Sequence, residues 1–259
     1  MSYITDEMVD WTLKRMVDLE QDLNSVYSDH GLKFRENMGR RNAILSHMQE
    51  IALSEALNKF GEIARVDGRT GYPDVCVDSR HREIECKLTS GSGGSWSLQA
   101  DYSTLERKGS LDFLYILADE KFESFAVLFF EGLSCHDFHP PSPGSREKAR
   151  MNKISAMEKC TVLAGRVTVK NERMVIQYCS QLRDAMKDVC NRLSEAEDRI
   201  IETTAPKKLQ GFIASKERLL ERSVNKIEKI SEKIVYWRAT PLQFTIELEK
   251  YDSEDKEGS

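Results

Sequence analysis

Asp74, Glu85 and Lys87 are residues whose types and spacing could do chemistry together. They stand in the segment Tyr72-Pro73-Asp74-Val75-Cys76-Val77-Asp78-Ser79-Arg80-His81-Arg82-Glu83-Ile84-Glu85-Cys86-Lys87-Leu88. Two β-prone runs flank a polar turn at Ser79-Arg80, the pattern of a β-hairpin. A turn centred there sets Asp74 opposite Glu85, Val75 opposite Ile84 and Val77 opposite Arg82. Opposed strand residues share a face, and successive residues alternate faces. Asp74, Glu85 and Lys87 therefore fall on one side, and Val75, Val77, Ile84 and Leu88 on the other. Directly opposed carboxylates lie with Cβ atoms about 5 Å apart and repel. A cation between them removes the repulsion. Oxygen ligands with retained water suit Mg²⁺, and an amine beside such a site can act on the same water.

The hairpin needs elements to hold it. Apolar residues at three-to-four spacing predict a first helix over about Asp6 to Val26, through Met8, Trp11, Leu13, Met16, Leu19 and Leu23. A second helix runs from about Asn42 to Phe60, stopped at Gly61, and carries Glu50 and Glu55. Ile63 to Val66 reads as a short strand. Thr89 to Ser95 reads as a Gly/Ser loop beside the site, without the Gly-Lys-Ser/Thr closure of a phosphate loop. Leu111 to Ala118 and Phe125 to Phe130 are aromatic and β-branched enough for central strands. The loop at His139-Pro140-Pro141-Ser142-Pro143-Gly144 marks a subdomain boundary. Beyond it, Leu182, Met186, Val189, Leu193, Ala196 and Ile200 form a heptad seam, broken at Thr203-Thr204-Ala205-Pro206. Ile213, Leu220, Val224, Ile227 and Ile234 stripe the next helix, so the two should make an antiparallel hairpin. Leu242 to Leu248 alternates like a strand.

Composition narrows the class. The chain has 259 residues, 40% hydrophobic and 31% charged, with a formal net charge of −5. That fits a globular chain with long solvated helices. No run approaches the roughly 20 apolar residues of a membrane span. Met1 to Glu20 lacks the basic end and apolar run of a signal peptide. Six cysteines without CxxC spacing predict reduced thiols in the cytosol rather than zinc or disulfides. Between Arg146 and Arg173 eight Lys or Arg face three Glu. This stretch could meet phosphates, or form an ordinary solvated helix face.

The Pro-Asp followed by Glu-x-Lys resembles the PD-(D/E)xK signature of the restriction-endonuclease-like nucleases, over about the middle third of the chain. The resemblance implies an α/β fold: a mixed central β-sheet flanked by helices, here with a C-terminal helical hairpin. It implies Asp74, Glu85 and the Cys86 carbonyl as Mg²⁺ ligands and Lys87 as the residue that orients or deprotonates the attacking water. It also implies a Glu on the helix before the hairpin, Glu50 in preference to Glu55. Glu83 is expected to be peripheral. Arg69 and Lys108 flank the site. With Arg146, Lys148, Arg150 and Lys153 they are the candidate contacts to double-stranded DNA. Residues 1–145 are expected to hold the nuclease core, and 146–259 the basic segment, the helical hairpin and a last strand. The activity implied is that of a type II restriction enzyme, a prokaryotic cytoplasmic homodimer leaving 5′-phosphate and 3′-hydroxyl ends. A repair or junction-resolving nuclease of the same fold and a non-catalytic interaction protein are the alternatives.

Overall fold

The computed structural model describes residues 2–69, 71–91, 96–141, 148–201 and 205–251. The chain opens with α1 (Asp6–Asp29) and α2 (Met38–Lys59). Side chains of Thr5 and Asn37 cap them by accepting the Met8 and Arg40 N–H groups. Then follow β1 (Ala64–Val66), β2 (Val75–Val77), β3 (Arg82–Ser90), β4 (Gln99–Asp101), α3 (Tyr102–Lys108), β5 (Leu111–Ala118) and β6 (Ser124–Leu133). Shorter pieces come next: β7 (Phe138–His139), β8 (Lys148–Met151), α4 (Lys153–Met157), β9 (Cys160–Ala164) and β10 (Arg166–Val169). Two long helices, α5 (Lys170–Ile201) and α6 (Pro206–Ala239), precede β11 (Phe244–Glu247) and β12 (Glu249–Lys250).

The central sheet is mixed, in the order β1-β2-β3-β5-β6-β12, with β9 also on β6. β1, β2 and β3 form an antiparallel meander, and β3 pairs with β5 in parallel. The intervening β4 and α3 make the crossover that a parallel pair requires. All eight residues of β5 are buried, as its unbroken apolar run demands of a strand covered on both faces. On one face Val75, Val77, Ile84, Cys86, Leu114 and Ile116 pack against Leu13 and Met16 of α1 and Leu45, Leu53 and Leu57 of α2. On the other, Phe113, Tyr115, Leu117, Leu128 and Phe130 pack with Trp96, Leu98, Leu105, Ala149 and Met151. That second layer includes a small sheet, β4-β8-β7.

The structure adds detail to three expectations. The chain divides into Met1–Val167 with Thr245–Ser259, and Thr168–Phe244. The boundary of these compact units falls within the basic segment, after Val167, and Thr245 to Glu247 of the last long strand lie with the first unit. The basic stretch is not a helix face. It runs through β8, α4, β9 and β10 before entering α5, and its strand β8 alternates exposed and buried residues. The Gly/Ser loop begins later than expected, because Thr89 and Ser90 extend β3; positions 92–95 lie outside the described residues.

In the second unit α5 and α6 pack along their length. The α5 seam is as the heptads predict except at Met186, which is half exposed while its neighbour Ala185 is buried. The α6 seam is shifted. Ile213, Leu220 and Val224 are exposed, while Phe212, Leu219, Ser223 and Ile230 lie at least partly buried beside Ile227 and Ile234. Both stripes are apolar, and 3.6-residue periodicity alone does not say which one meets the partner helix.

Candidate active site

The hairpin has the register expected from its turn: Val75↔Ile84, Cys76↔Glu83 and Val77↔Arg82. Asp78 to Arg80 form a single 3₁₀ turn, and His81 closes it in the left-handed conformation at φ 53°. Continued by one pair, the same register sets Asp74 opposite Glu85. By then β2 has already ended.

The ending has a chemical cause. A strand residue turns its N–H and C=O to the same neighbour. Cys86 turns both toward β2, because its N–H donates to Asp74 Oδ2 at 2.7 Å. In register its partner would be Pro73, which has no N–H to return. The ladder therefore stops, and the Asp74 carboxylate takes the acceptor role that a backbone carbonyl would fill. A notch opens in the sheet beyond β2, with the Asp74 carboxylate and the Cys86 carbonyl on its rim.

Glu85 and Lys87 project from β3 on one face of this notch. Lys87 Nζ donates to Glu85 Oε1 at 2.5 Å. Glu85 is largely buried, with a side chain 13% exposed, whereas Lys87 at 32% reaches the opening. The next strand seals the site from beneath. Tyr115 stands beside Lys87 in the β3–β5 ladder, is buried, and donates its hydroxyl to the Gln99 carbonyl at 2.9 Å.

Glu50 comes from the other face. The buried Gln49 donates from Nε2 to the Leu114 carbonyl at 3.0 Å, which sets the rotation of α2 on the sheet. Glu50 follows it, with His47 Nδ1 at 3.3 Å from its carboxylate, close enough to Asp74 to perturb it. Glu55 does not join them; it pairs with Arg15 of α1 at 3.3 Å. Of the two helix acids, the structure brings Glu50 to the notch.

The electrostatics show a strained group of charges. Burial pushes the Asp74 carboxyl above the usual carboxylate range. The Cys86 N–H and Lys87 oppose the shift, and Glu50 adds to it. Burial likewise raises Glu85, with the Lys87 ammonium opposing and Asp74 and Asp101 reinforcing. For Lys87 burial acts downward, but attraction to Glu85 and Asp74 wins, and its pKa is raised. One ammonium thus serves a buried carboxylate pair with further acids nearby.

The other sequence candidates lie on several elements. Lys108 is held by Glu83 at 2.7 Å. Arg69 forms a fork on Asp67 and lies over the Tyr72 ring at 4.0 Å from its centroid. Arg107 and Lys108 also face that ring. Lys148 and Arg150 project from the exposed side of β8, where Lys148 stands opposite Asp101 in the ladder. Lys153 begins α4, and burial lowers its pKa. Arg146 lies outside the described residues. Of the remaining basic positions, Lys159 is committed to Asp137 at 2.7 Å.

Two neighbours escaped the sequence reading, Tyr115 and Asp101. Tyr115 sat within a strand already predicted, and the parallel register that sets it beside Lys87 was the missing signal. Asp101 acts on Glu85 from β4, a three-residue strand too short to announce itself.

Among the described residues no three His, Cys, Asp or Glu side chains are gathered tightly enough to cage a metal unaided. The donors fit a hard divalent cation that keeps water ligands. Two buried carboxylates with raised pKa values are undercompensated, and the rim adds a backbone oxygen. No helix among the described residues is long and apolar enough to cross a membrane. Comparison with protein-family models, with curated proteins and with solved structures returned no match.

Proposed function

We propose that the chain is a Mg²⁺-dependent endonuclease that hydrolyses phosphodiester bonds in double-stranded DNA, of the sequence-specific type II restriction kind. The observation that carries this reading is the notch itself. A proline halts the ladder, and the space it leaves brings Asp74, Glu85, Lys87 and the Cys86 carbonyl together. The mixed sheet preceded by an acid-bearing helix agrees with the PD-(D/E)xK resemblance.

Asp74, Glu85 and the Cys86 carbonyl would hold the ion, with Glu50 near Asp74 reaching it directly or through water. Bound there, Mg²⁺ lowers the pKa of a water and offsets charge on the phosphoryl oxygens. Lys87, kept protonated by its acidic neighbours, acts as donor and cation. Its ammonium orients the water and counters the negative charge that grows on the phosphate. The buried Tyr115 and the layer behind it keep bulk water from the inner side of Glu85, so these charges act in a low-dielectric setting. Arg69, Lys108, Lys148, Arg150 and Lys153 would be the contacts to the DNA backbone, Arg69 and Lys108 exchanging Asp67 and Glu83 for phosphates. A second copy of the chain would place a second site across the duplex, so that both strands are cut.

The test is incubation of the purified chain with unmodified phage DNA and Mg²⁺, followed by mapping of fragment ends. Discrete fragments with 5′-phosphate ends are expected. Structure-selective nicking would instead assign a repair or junction-resolving role. No metal-dependent cleavage of any DNA would leave a non-catalytic binding protein.

A further inference from the structure

The helical hairpin holds a cleft of its own. Between residues 188–199 of α5 and 212–226 of α6 lies a cavity of about 490 Å³. Ala196 and Ser223 line it from the seam, at positions a larger side chain would fill. Its walls carry six cations, Arg192, Arg199, Lys216, Arg218, Arg222 and Lys226, against two acids, Asp188 and Glu195. Arg192 meets Asp188 at 3.8 Å, and Lys216 meets Glu197 at 2.6 Å. Over residues 188–199 and 212–226 the two helices carry six basic and six acidic residues, so the lining gathers the bases on one side of the hairpin without adding net charge.

We infer that this cleft binds the phosphate backbone of a nucleic-acid strand. Three features favour a phosphodiester strand over other anions. Four of the six cations are guanidiniums, which fork onto phosphate oxygens. The cleft is elongated: at a rise of about 1.5 Å per residue its helix walls run about 16 and 21 Å. Strand phosphates spaced about 3.4 Å along a duplex axis put about five within that length. The cleft is also open and polar, which suits a solvated backbone rather than an apolar ligand. The inference shares with the nuclease reading only the nucleic-acid partner, because the cleft lies wholly within Thr168–Phe244.

The experiment is binding of the full chain to a labelled 30-base-pair duplex in EDTA, over a salt series, by fluorescence anisotropy. The variant replaces Arg192, Arg222 and Lys226 by Gln, all exposed helix positions where Gln keeps helix propensity. A control of equal charge change replaces Lys187, Lys208 and Lys229 by Gln, exposed on the same helices but outside the cleft. The cleft variant should lose about tenfold or more in affinity. Its slope of log affinity against log salt should fall by about 0.9 for each phosphate that is no longer neutralised. The control should keep both. Equal losses in the two variants, wild-type behaviour of the cleft variant, or equal competition by polyglutamate would each overturn the inference. Cleavage assays separate the two readings. A cleft variant that binds and cuts like wild type removes the inference and leaves the nuclease. A wild type that never cuts but binds through the cleft removes the nuclease and leaves the inference.

Discussion

Two carboxylate sites border β3, one at Arg82 and one at Glu85, and were built to opposite ends. Next to Arg82, Asp112 of β5 is 1% exposed. It accepts from the Arg82 guanidinium at both oxygens, from the Tyr3 hydroxyl at 2.7 Å and from the Gly132 N–H at 2.7 Å. Every lone pair that faces the protein has a donor. Beside Lys87, Glu85 and Asp74 share one ammonium and one backbone N–H, and both pKa values are driven up. Burial is common to the two sites; compensation is not. A fully satisfied buried carboxylate is structure, because removing its partner leaves a buried charge alone. An undercompensated one carries a standing cost that a bound cation would relieve, and such groups concentrate at functional sites.

The sharpest way to break that contrast is to alter the notch and read cleavage. Asp74→Ala and Lys87→Ala should each lower Mg²⁺-dependent cutting by about a thousandfold or more, the scale of losing a preorganised charge-stabilising group. DNA binding in EDTA should hold within a few-fold. Asp112→Ala should do the reverse. Urea unfolding should show a loss of about 1–3 kcal/mol, because the Tyr3 hydroxyl and the Gly132 N–H lose their buried acceptor while the half-exposed Arg82 regains water. Whatever folded protein remains should cut at the wild-type rate per molecule. If Asp74→Ala proved as destabilising as Asp112→Ala, the notch would be one more structural ion pair.

A smaller effect tests the cation. Mg²⁺ binding to the folded state alone raises stability by about 1.4 kcal/mol at ten times the dissociation constant. Thermal unfolding of the wild type should therefore shift upward with Mg²⁺. Glu85→Gln, which removes a charge from the pair, should shift much less, and Asp112→Asn should shift as the wild type does relative to its own metal-free midpoint. Equal shifts in all three would place the ion elsewhere.

How far the sequence foretold these sites follows from the range of the forces involved. The hairpin was legible because a short turn and alternating side chains fix the register locally, and Pro73 and Asp74 lie inside that short segment. The long helices and β5 and β6 were legible because each repeats one period for many residues. What failed depends on partners distant in the chain. The α6 stripe was misassigned because Phe212 and Leu219 sit directly beside Ile213 and Leu220, and only α5 decides between them. The strand Lys148-Ala149-Arg150-Met151 was lost in a charge run, although its alternation of exposed and buried residues is a period-two signal, because charge was read before pattern. The choice of Glu50 over Glu55 needed Arg15, forty residues upstream of Glu55, to claim the latter.

The subtlest test asks whether the standing cost at Asp74 exists at all. Asn at this position keeps an oxygen to accept the Cys86 N–H and removes only the charge. The folded-state pKa values of Asp74 and Glu85 lie above their unfolded values, so the folded protein holds these protons more tightly. Their favourable contribution is complete below the unfolded carboxyl range, about pH 4, and is lost as pH rises through the folded values. In metal-free buffer Asp74→Asn should therefore be at least as stable as wild type at pH 7. Its advantage should shrink as the pH falls through and below about 4, where the wild-type carboxyl becomes protonated in both states. Chemical denaturation at several pH values reads this directly. Asp112→Asn should lose stability at pH 7, since its charge is matched by Arg82. A neutral-pH loss for Asp74→Asn as well would mean that Lys87 and the Cys86 N–H already satisfy the carboxylate, and the raised pKa values would no longer mark a place where a cation is missing.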